Sequence, residues 1–236
     1  MQTNFNHMSA PRRTRGSTVR MAAMAVILGA ILLISAGCKR SGSATLDTEQ
    51  SSSVVIEAVL DTSASNRDNL PKETDELANL TLRVDSSSSW LSVFRIDSDL
   101  RQLHDGPIPD SGEAFLSDLL PALQPLTGKD NTYVQRALVA VSERLRGISG
   151  QAVVILWTDW YCEGMTASDH STLTNAAKEL ANNRQVREVM VVGAAPSNTE
   201  ALHKDLAPLA KKLRVFQAGS LDEQLVADLL ASGGAQ

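Results

Sequence analysis

The sequence predicts an α/β fold with a mainly parallel central sheet and helices on both faces. Two observations support this prediction. From about residue 54 onward, short apolar segments rich in β-branched residues alternate with longer segments of helical periodicity. The chain has 236 residues and a hydrophobic fraction of 43%, which suits one fairly large domain with additional terminal segments.

Five short apolar segments are predicted to be parallel strands. They are Val54–Leu60, Trp90–Ile96, Ala152–Thr158, Glu188–Gly193 and Arg214–Gln217. A further edge strand is expected near Leu100–His104. It follows the tight polar turn DSDL, and so short a connection favours an antiparallel hairpin over a crossover. Pro107 and Pro109 are expected to stop this strand.

Helical periodicity appears in six segments between and after the strands. They are Asn69–Val84, Gly112–Leu123, Thr132–Gly147, Ser168–Asn183, Asn198–Leu213 and Leu221–Ala231. Neither an internal repeat nor a second change in composition divides this part of the chain, so one domain is predicted over residues 54–236.

The first 37 residues have the order of features of an export signal. Four arginines precede the apolar run MAAMAVILGAILLISAG, and Cys38 follows it. The stretch ISAGC resembles the lipobox of bacterial lipoproteins, in which the cysteine is acylated and becomes the mature N-terminus. We therefore expect a lipoprotein signal peptide over residues 1–37 and a flexible tether over residues 38–53. The alternative is an uncleaved anchor, since the apolar run is only slightly shorter than the roughly 20 residues that span a bilayer.

The charge of the chain limits its partners. Removing the four arginines of the signal from a formal net charge of −5 leaves −9, because no acidic residue precedes Cys38. So acidic a body argues against nucleic acid and anionic lipid headgroups as partners. We expect a domain in the cell envelope, outside the cytoplasm, attached to a membrane by its lipid. With Cys38 lipidated, Cys162 is the only other cysteine, so no intramolecular disulfide is possible.

Oxygen-bearing side chains follow two of the predicted strands and precede one of the helices. They are Asp61, Ser63, Ser65, Thr132 and Asp159. Because the carboxyl ends of parallel strands lie at one edge of a sheet, these side chains are expected to come together there. Carboxylate and hydroxyl oxygens suit a hard divalent cation such as Mg²⁺. The alternative for the triplet Asp61, Ser63 and Ser65 is that it caps the following helix.

Three motifs in order resemble those of von Willebrand factor type A domains. The stretch DTSAS resembles the DxSxS element of that family, TYVQRAL resembles its threonine motif, and VVILWTD resembles the strand that ends on its last aspartate. The resemblance spans about residues 54–231 and implies a Rossmann-like fold. It also implies a metal-ion-dependent adhesion site, with Mg²⁺, Mn²⁺ or Ca²⁺ held by the five side chains named above.

The sequence departs from the family pattern at two places. Trp160, Tyr161 and Cys162 follow Asp159, where the family commonly has glycine, and GKDNT replaces the frequent Gly-Gly-Thr. Trp157 is expected to be a core residue. Trp160 is expected either at the rim of the site, as an anchor for a partner, or buried. Cys162 is expected to be an inert, half-buried thiol.

The sequence therefore favours a non-catalytic binding module that uses a divalent cation to engage an acidic group on a protein partner. One alternative is a metal-dependent hydrolase with Asp61 as nucleophile or with metal-activated water. Against it, the sequence has no G-x-S-x-G elbow, and His104, His170 and His203 are isolated and expected at the surface. The other alternative is a metal-free assembly scaffold with the same fold.

Overall fold

A computed structural model describes residues 54–84, 89–123, 132–162 and 164–231. The predicted signal peptide, Cys38 and the tether lie outside these residues. The strands are β1 (Val54–Asp61), β2 (Ser89–Ile96), β3 (Leu100–Pro107), β4 (Gln151–Trp157), β5 (Val186–Val192) and β6 (Leu213–Phe216). The α-helices are α1 (Leu70–Arg83), α2 (Gly112–Leu119), α3 (Val134–Arg144), α4 (Ala167–Asn182), α5 (Thr199–Asp205) and α6 (Glu223–Ala231).

The six strands form one sheet in the order β3-β2-β1-β4-β5-β6. The pairs β1–β2, β1–β4, β4–β5 and β5–β6 are parallel, and β2–β3 is antiparallel. From β1 the chain proceeds to one edge of the sheet and then returns to β4, from which it proceeds to the other edge. The strand order therefore reverses between β1 and β4.

Both faces of the sheet are covered by helices, because successive side chains of the buried strands point to opposite faces. Val55 and Val59 of β1 face a core that includes Leu138 of α3 and Leu173 of α4. Their neighbours on the strand belong to the opposite core, with Leu77 of α1 as one member. The central strand β1 is buried along its whole length. Its last residue, Asp61, therefore lies at the carboxyl edge of the sheet between neighbouring strands.

The predicted fold class is confirmed: the sheet is mainly parallel, with one antiparallel edge strand and helices around it. One predicted helix is wrong, because it is longer than the helix in the structure. The segment Asn198–Leu213 holds the short helix α5, then a 3₁₀ turn over Ala207–Leu209, and β6 begins at Leu213. Pro208 explains the break, since a proline ring removes a helical donor and clashes with the preceding turn.

Among the residues that the structure describes, none belongs to a helix with both the length and the apolar character needed to cross a bilayer.

Candidate metal centre

The candidate site lies at the carboxyl edge of the sheet, where the strand order reverses. Asp61 is the last residue of β1, and Asp159 follows the end of β4 by two residues. These two strands are hydrogen-bonded neighbours. Open α/β sheets bind ligands in the crevice at such a reversal. The two carboxylates predicted from the sequence therefore flank the usual binding position of the fold.

Asp61 is fully buried, and both of its carboxylate oxygens accept hydrogen bonds. Oδ1 accepts the main-chain N–H of Ser63 at 2.9 Å and the hydroxyl of Thr132 at 3.5 Å. Oδ2 accepts the hydroxyl of Thr158 at 2.8 Å. The bond from Ser63 closes a local turn of the kind that aspartate favours after a strand. Three separate segments of the chain thus meet at this carboxylate.

Ser63 and Ser65 lie next to each other in the loop after β1. Their hydroxyl oxygens are 3.1 Å apart, which is the distance of a hydrogen bond. Ser63 is fully buried, whereas Ser65 is exposed. The structure therefore brings the two alternate hydroxyls together, with Ser65 on the side of the site that solvent reaches.

Thr132 is buried and lies two residues before Val134, the first residue of α3. The main-chain N–H of Tyr133 donates to the carbonyl of Asp97 at 3.3 Å, just after the end of β2. Asp97 is itself buried and forms an ion pair with Arg95, with 2.9 Å between Oδ2 and Nη2. These contacts connect the start of α3 to β2 and hold Thr132 beside Asp61.

Asp159 is buried at the other side of the crevice. Its Oδ1 accepts the main-chain N–H of Tyr161 at 3.0 Å. Its carbonyl accepts the main-chain N–H of Ala195 at 3.1 Å and the side-chain amide of Asn198 at 3.0 Å. The loop after β4 is therefore held from within and by the segment that follows β5.

The electrostatics of the site are those of a buried acidic pair. Burial raises the pKa of Asp61 to about 6; hydrogen bonds from Ser63 and Thr158 oppose the rise, and the charge of Asp159 adds to it. In the described part of the chain, no Lys, Arg or His forms an ion pair with Asp61 or Asp159. A buried carboxylate without a positive partner is unfavourable. A cation at this position would supply the missing charge.

The donor set fits a hard divalent cation. Its two carboxylates and three hydroxyls present only oxygen, the ligand type that Mg²⁺, Mn²⁺ and Ca²⁺ prefer. The described residues contain no cluster of three or more Asp, Glu, His or Cys side chains placed to hold a metal ion. Any metal bound here would therefore depend on the hydroxyls as much as on the carboxylates.

Solved structures resemble this domain despite low sequence identity. BatB from Bacteroides thetaiotaomicron, a conserved hypothetical protein, is 15% identical with a TM-score of 0.52, and the match covers 78% of this chain and all of BatB. An aerotolerance-related membrane protein from Bacteroides fragilis is 13% identical with a TM-score of 0.53, over 76% of this chain and 98% of that one. These and other structural neighbours are von Willebrand factor type A proteins.

The domain has the von Willebrand factor type A fold. The pilus adhesin SpaC from Lactobacillus rhamnosus GG is a further neighbour, 13% identical with a TM-score of 0.52. That match covers 76% of this chain but only 29% of the adhesin. No family model matches the sequence, and no curated protein matches it significantly.

Trp160 has an unusual backbone conformation. This residue has φ of 58° and is the only non-glycine residue with positive φ among the described ones. Trp160 follows Asp159, at a position where the family pattern commonly has glycine, and it has the left-handed conformation that glycine adopts most easily. Trp160 is fully buried, which makes the rim alternative wrong. Tyr161, with 45% of its surface exposed, lies at the rim instead.

Four side chains that support the site were not identified from the sequence. They are Asn66, Glu73, Asp97 and Thr158. Thr158 illustrates why: its hydroxyl donates to Asp61 and accepts the N–H of Trp160 at 3.0 Å, but in the motif VVILWTD only the aspartate is expected to bind metal. Its place directly before Asp159 could have indicated a role at the site, because ligands of such sheets bind at the carboxyl ends of the strands.

The remaining candidate groups for chemistry are poorly placed. Burial raises the pKa of the Cys162 thiol to about 12, and the charges of Asp205, Asp61 and Asp159 act in the same direction. This agrees with the inert, half-buried thiol expected from the sequence. His170 contacts Asp205, with 2.9 Å between Nδ1 and Oδ1, and is exposed on α4. No contact connects His170 to Asp61 within the described residues.

Proposed function

We propose that this domain is a non-catalytic binding module that engages a protein partner through a divalent cation held by Asp61, Ser63, Ser65, Thr132 and Asp159. The observation that carries the proposal is the fully buried Asp61, which receives hydrogen bonds from three chain segments but has no positive partner among the described residues. A bound Mg²⁺ or Mn²⁺ would act as a Lewis acid that takes a further oxygen ligand from outside.

An acidic group on the partner is the natural external ligand. Neutral hydroxyls do not cancel the charge of a cation, so the site would retain affinity for a carboxylate. Arg67 and Arg136 support this proposal, because both are exposed and neither forms an ion pair within the described residues. The guanidinium of Arg136 lies 4.2 Å from the ring centre of Tyr133, which follows Thr132. Such stacking holds an arginine ready for an anion.

The proposed module is lipid-anchored in the cell envelope through Cys38. The order of arginines, apolar run and SAGC in the sequence supports this part of the proposal. The hydrolase alternative has weaker support. A thiol with its pKa raised to about 12 is a poor nucleophile at neutral pH, and the described hydrogen bonds of the Asp61 carboxylate come from Ser63, Thr132 and Thr158, not from a histidine.

Metal-dependent stabilisation of a fragment covering residues 54–236 tests the metal site. Mg²⁺ or Mn²⁺ at ten times its dissociation constant adds about 1.4 kcal/mol of stability, which raises the melting temperature by roughly 3–6 °C. Asp61→Ala and Thr132→Ala should each remove most of this rise. Ser171→Ala, an exposed position on α4, is the control and should keep it. The comparison is made within each variant, with and without metal, because removing one of two nearby carboxylates also relieves repulsion.

Absence of any shift in the wild-type domain at millimolar Mg²⁺ and Mn²⁺ would contradict the metal site and favour the metal-free scaffold. A steady phosphatase or esterase activity that Asp61→Ala abolishes would favour the hydrolase.

A short acidic peptide tests the ligand class. A fluorescent Gly-Glu-Gly-Gly-Glu-Gly peptide should bind the Mg²⁺-loaded domain more tightly than its Gln-for-Glu counterpart, and EDTA should remove the difference. Arg136→Ala should weaken binding several-fold. Arg184→Ala changes an exposed arginine at the opposite edge of the sheet and should have no effect. Equal binding of both peptides would contradict an acidic ligand.

A further inference from the structure

Glu73 is a buried acid directly behind the loop that carries Asp61, Ser63 and Ser65. It lies in the first turn of α1 and is fully buried. Its Oε2 accepts a hydrogen bond from the side-chain amide of Asn66 at 2.8 Å. Its Oε1 has no hydrogen-bond partner among the described residues. A buried acid of this kind calls for an explanation, because burial without full hydrogen bonding is unfavourable.

Asn66 connects Glu73 to the loop after β1 through hydrogen bonds. Its side-chain amide also donates to the carbonyl of Asp61 at 2.9 Å, and its main-chain N–H donates to the carbonyl of Ser63 at 3.2 Å. Its Oδ1 accepts from the side chain of Asn69 at 3.0 Å. The loop after β1 is thus fastened to one asparagine, and Glu73 fixes the rotamer of that asparagine.

Gly193, directly after β5, leaves space for the carboxyl group of Glu73. A Cβ at this position would lie 2.9 Å from Oε1 of Glu73 and 3.5 Å from the carbonyl of Thr158. Gly193 also has φ of 95°, a conformation that other residues rarely adopt. Glu73 therefore occupies a space bounded by the chain after β1, β4 and β5, which are the strands at the centre of the site.

The protonation state of Glu73 suits a buried position near other acidic side chains. Burial raises its pKa to about 9; the hydrogen bond from Asn66 opposes the rise, and the charges of Asp61, Glu76 and Asp159 add to it. At neutral pH the side chain is a neutral carboxylic acid. It can hold Asn66 without adding a third negative charge next to Asp61 and Asp159.

We propose that Glu73 is a positioning residue of the candidate site, which holds the Asp61–Ser65 loop in place through Asn66. The consequence for metal affinity rests on the proposed function, whereas the effect on the loop does not. Glu76, one turn further along α1, provides a matched control. It is also buried, but its oxygens accept from the indole of Trp157 at 2.9 Å and the N–H of Leu221 at 2.8 Å, away from the loop.

Amide hydrogen exchange of the metal-free 54–236 fragment tests the effect on the loop. In Glu73→Ala the amides of Ser63 and Asn66 should exchange at least tenfold faster, after normalisation to the core amide of Val154. Glu73→Gln keeps an oxygen acceptor for Asn66 and should stay within about threefold of wild type. Glu76→Ala should leave the normalised rates of Ser63 and Asn66 unchanged. Equal loop exchange in Glu73→Ala and Glu76→Ala would overturn the proposal.

Metal titration of the same variants separates this proposal from the proposed function. We expect Glu73→Ala to weaken Mn²⁺ binding at least tenfold and Glu73→Gln to retain it. If Glu73→Ala does not fold, Glu73→Leu replaces it, since leucine fills much of the same space but offers Asn66 no hydrogen-bond acceptor. Metal binding by wild type together with an unchanged dissociation constant in Glu73→Ala, or in the variant that replaces it, overturns the positioning role in metal binding. No binding by wild type, together with fast loop exchange in Glu73→Ala, overturns the proposed function and leaves the loop role supported.

Discussion

Trp157 and Trp160 are both fully buried, but only one of their indole N–H groups has a partner. The N–H of Trp157 donates to Oε2 of Glu76 at 2.9 Å. The N–H of Trp160 has no acceptor among the described residues, and its backbone is in the left-handed region. Trp160 is kept there because its ring fills the core on the α3–α4 face, and a buried ring contributes more than the 1–2 kcal/mol that such a conformation costs.

Phenylalanine substitutions should separate these two tryptophans. Trp157→Phe removes a donor and leaves the buried Glu76 with one unsatisfied oxygen, whereas Trp160→Phe removes a donor that had no partner. Both lose similar ring volume. We expect Trp157→Phe to lower the free energy of unfolding by about 1–2 kcal/mol more than Trp160→Phe, measured by urea denaturation. Equal losses would contradict the hydrogen-bond pattern.

Glu73 should make the stability of the domain depend on pH. Its pKa is raised from 4.5 to about 9 on folding, so the folded state retains a proton that the unfolded state loses above pH 4.5. The stability that this group contributes is therefore fully present below pH 4.5 and is lost as the pH rises towards 9. Glu73→Gln has no such proton. Its stability relative to wild type should increase between pH 5 and 8.5, by about 4 kcal/mol, because each pH unit in this range contributes about 1.4 kcal/mol.

Urea denaturation of both proteins at several pH values measures this difference. Glu73→Gln that tracks wild type at every pH would contradict a neutral Glu73. Asp75→Asn, which changes an exposed acid of the same helix, serves as the control and should show no comparable trend.

The sequence identifies the five candidate ligands by local motifs but does not identify the residues that contact them, for a physical reason. Asp61, Ser63 and Ser65 are identified by local spacing, and their local turn is formed by neighbours in sequence. Glu73 and Gly193 are 120 positions apart, and nothing local to either residue indicates the other. The conformation of Trp160 was also hidden, because its side chain alone suggests no left-handed backbone.

At the scale of single elements, β1 carries an acid within its buried stretch. Glu57 is buried and interacts with Arg144 at the end of α3, with 3.3 Å between Oε1 and Nε. The same guanidinium contacts Oδ1 of Asp105 in β3 and the hydroxyl of Ser92 in β2, both at 2.7 Å. Burial raises the pKa of Glu57 to about 7, and the charge of Arg144 opposes this rise. One arginine therefore connects three strands to one helix.

Arg144→Met should destabilise the domain by about 3–5 kcal/mol, because it leaves Glu57 buried without its partner. The double variant Glu57→Met with Arg144→Met should be more stable than Arg144→Met alone, since it removes the unpaired acid as well. Arg146→Met is the control. Arg146 pairs with Glu179 at the surface, where such pairs contribute 0–1 kcal/mol. Similar losses for Arg144→Met and Arg146→Met would contradict a structural role for the network.

Local sequence patterns predict the strands of this sheet better than they predict the length of one helix. Strands of the buried sheet are recognisable because they are apolar and β-branched on both faces. The segment Asn198–Leu213 has helical periodicity, but Pro208 ends the helix and Leu213 pairs with Val189 as the start of β6. That pairing is made by a strand distant in sequence, so local periodicity does not contain it.

At the scale of the whole molecule, charge and anchor have to be considered together. Removal of residues 1–37 leaves a formal net charge of −9. An anionic membrane surface repels such a body, and salt screens this repulsion only partly at short range. If residues 1–37 are removed as proposed, the net charge of the remaining chain does not favour its attachment to an anionic membrane. If the protein is found there, the attachment must be the lipid on Cys38, an uncleaved apolar segment, or a membrane-bound partner.

Cys38→Ser distinguishes these attachments. We expect the wild-type protein to fractionate with membranes and resist about 1 M salt, which removes electrostatic binding, and to have a mass that shows loss of residues 1–37 and a lipid on Cys38. Cys38→Ser should lose the lipid and leave the membrane fraction once its signal is removed. Cys162→Ser, the change of the other cysteine, should fractionate as wild type. A wild-type mass that retains residues 1–37 without lipid would instead show the uncleaved anchor, and salt release of wild type would show attachment through a partner.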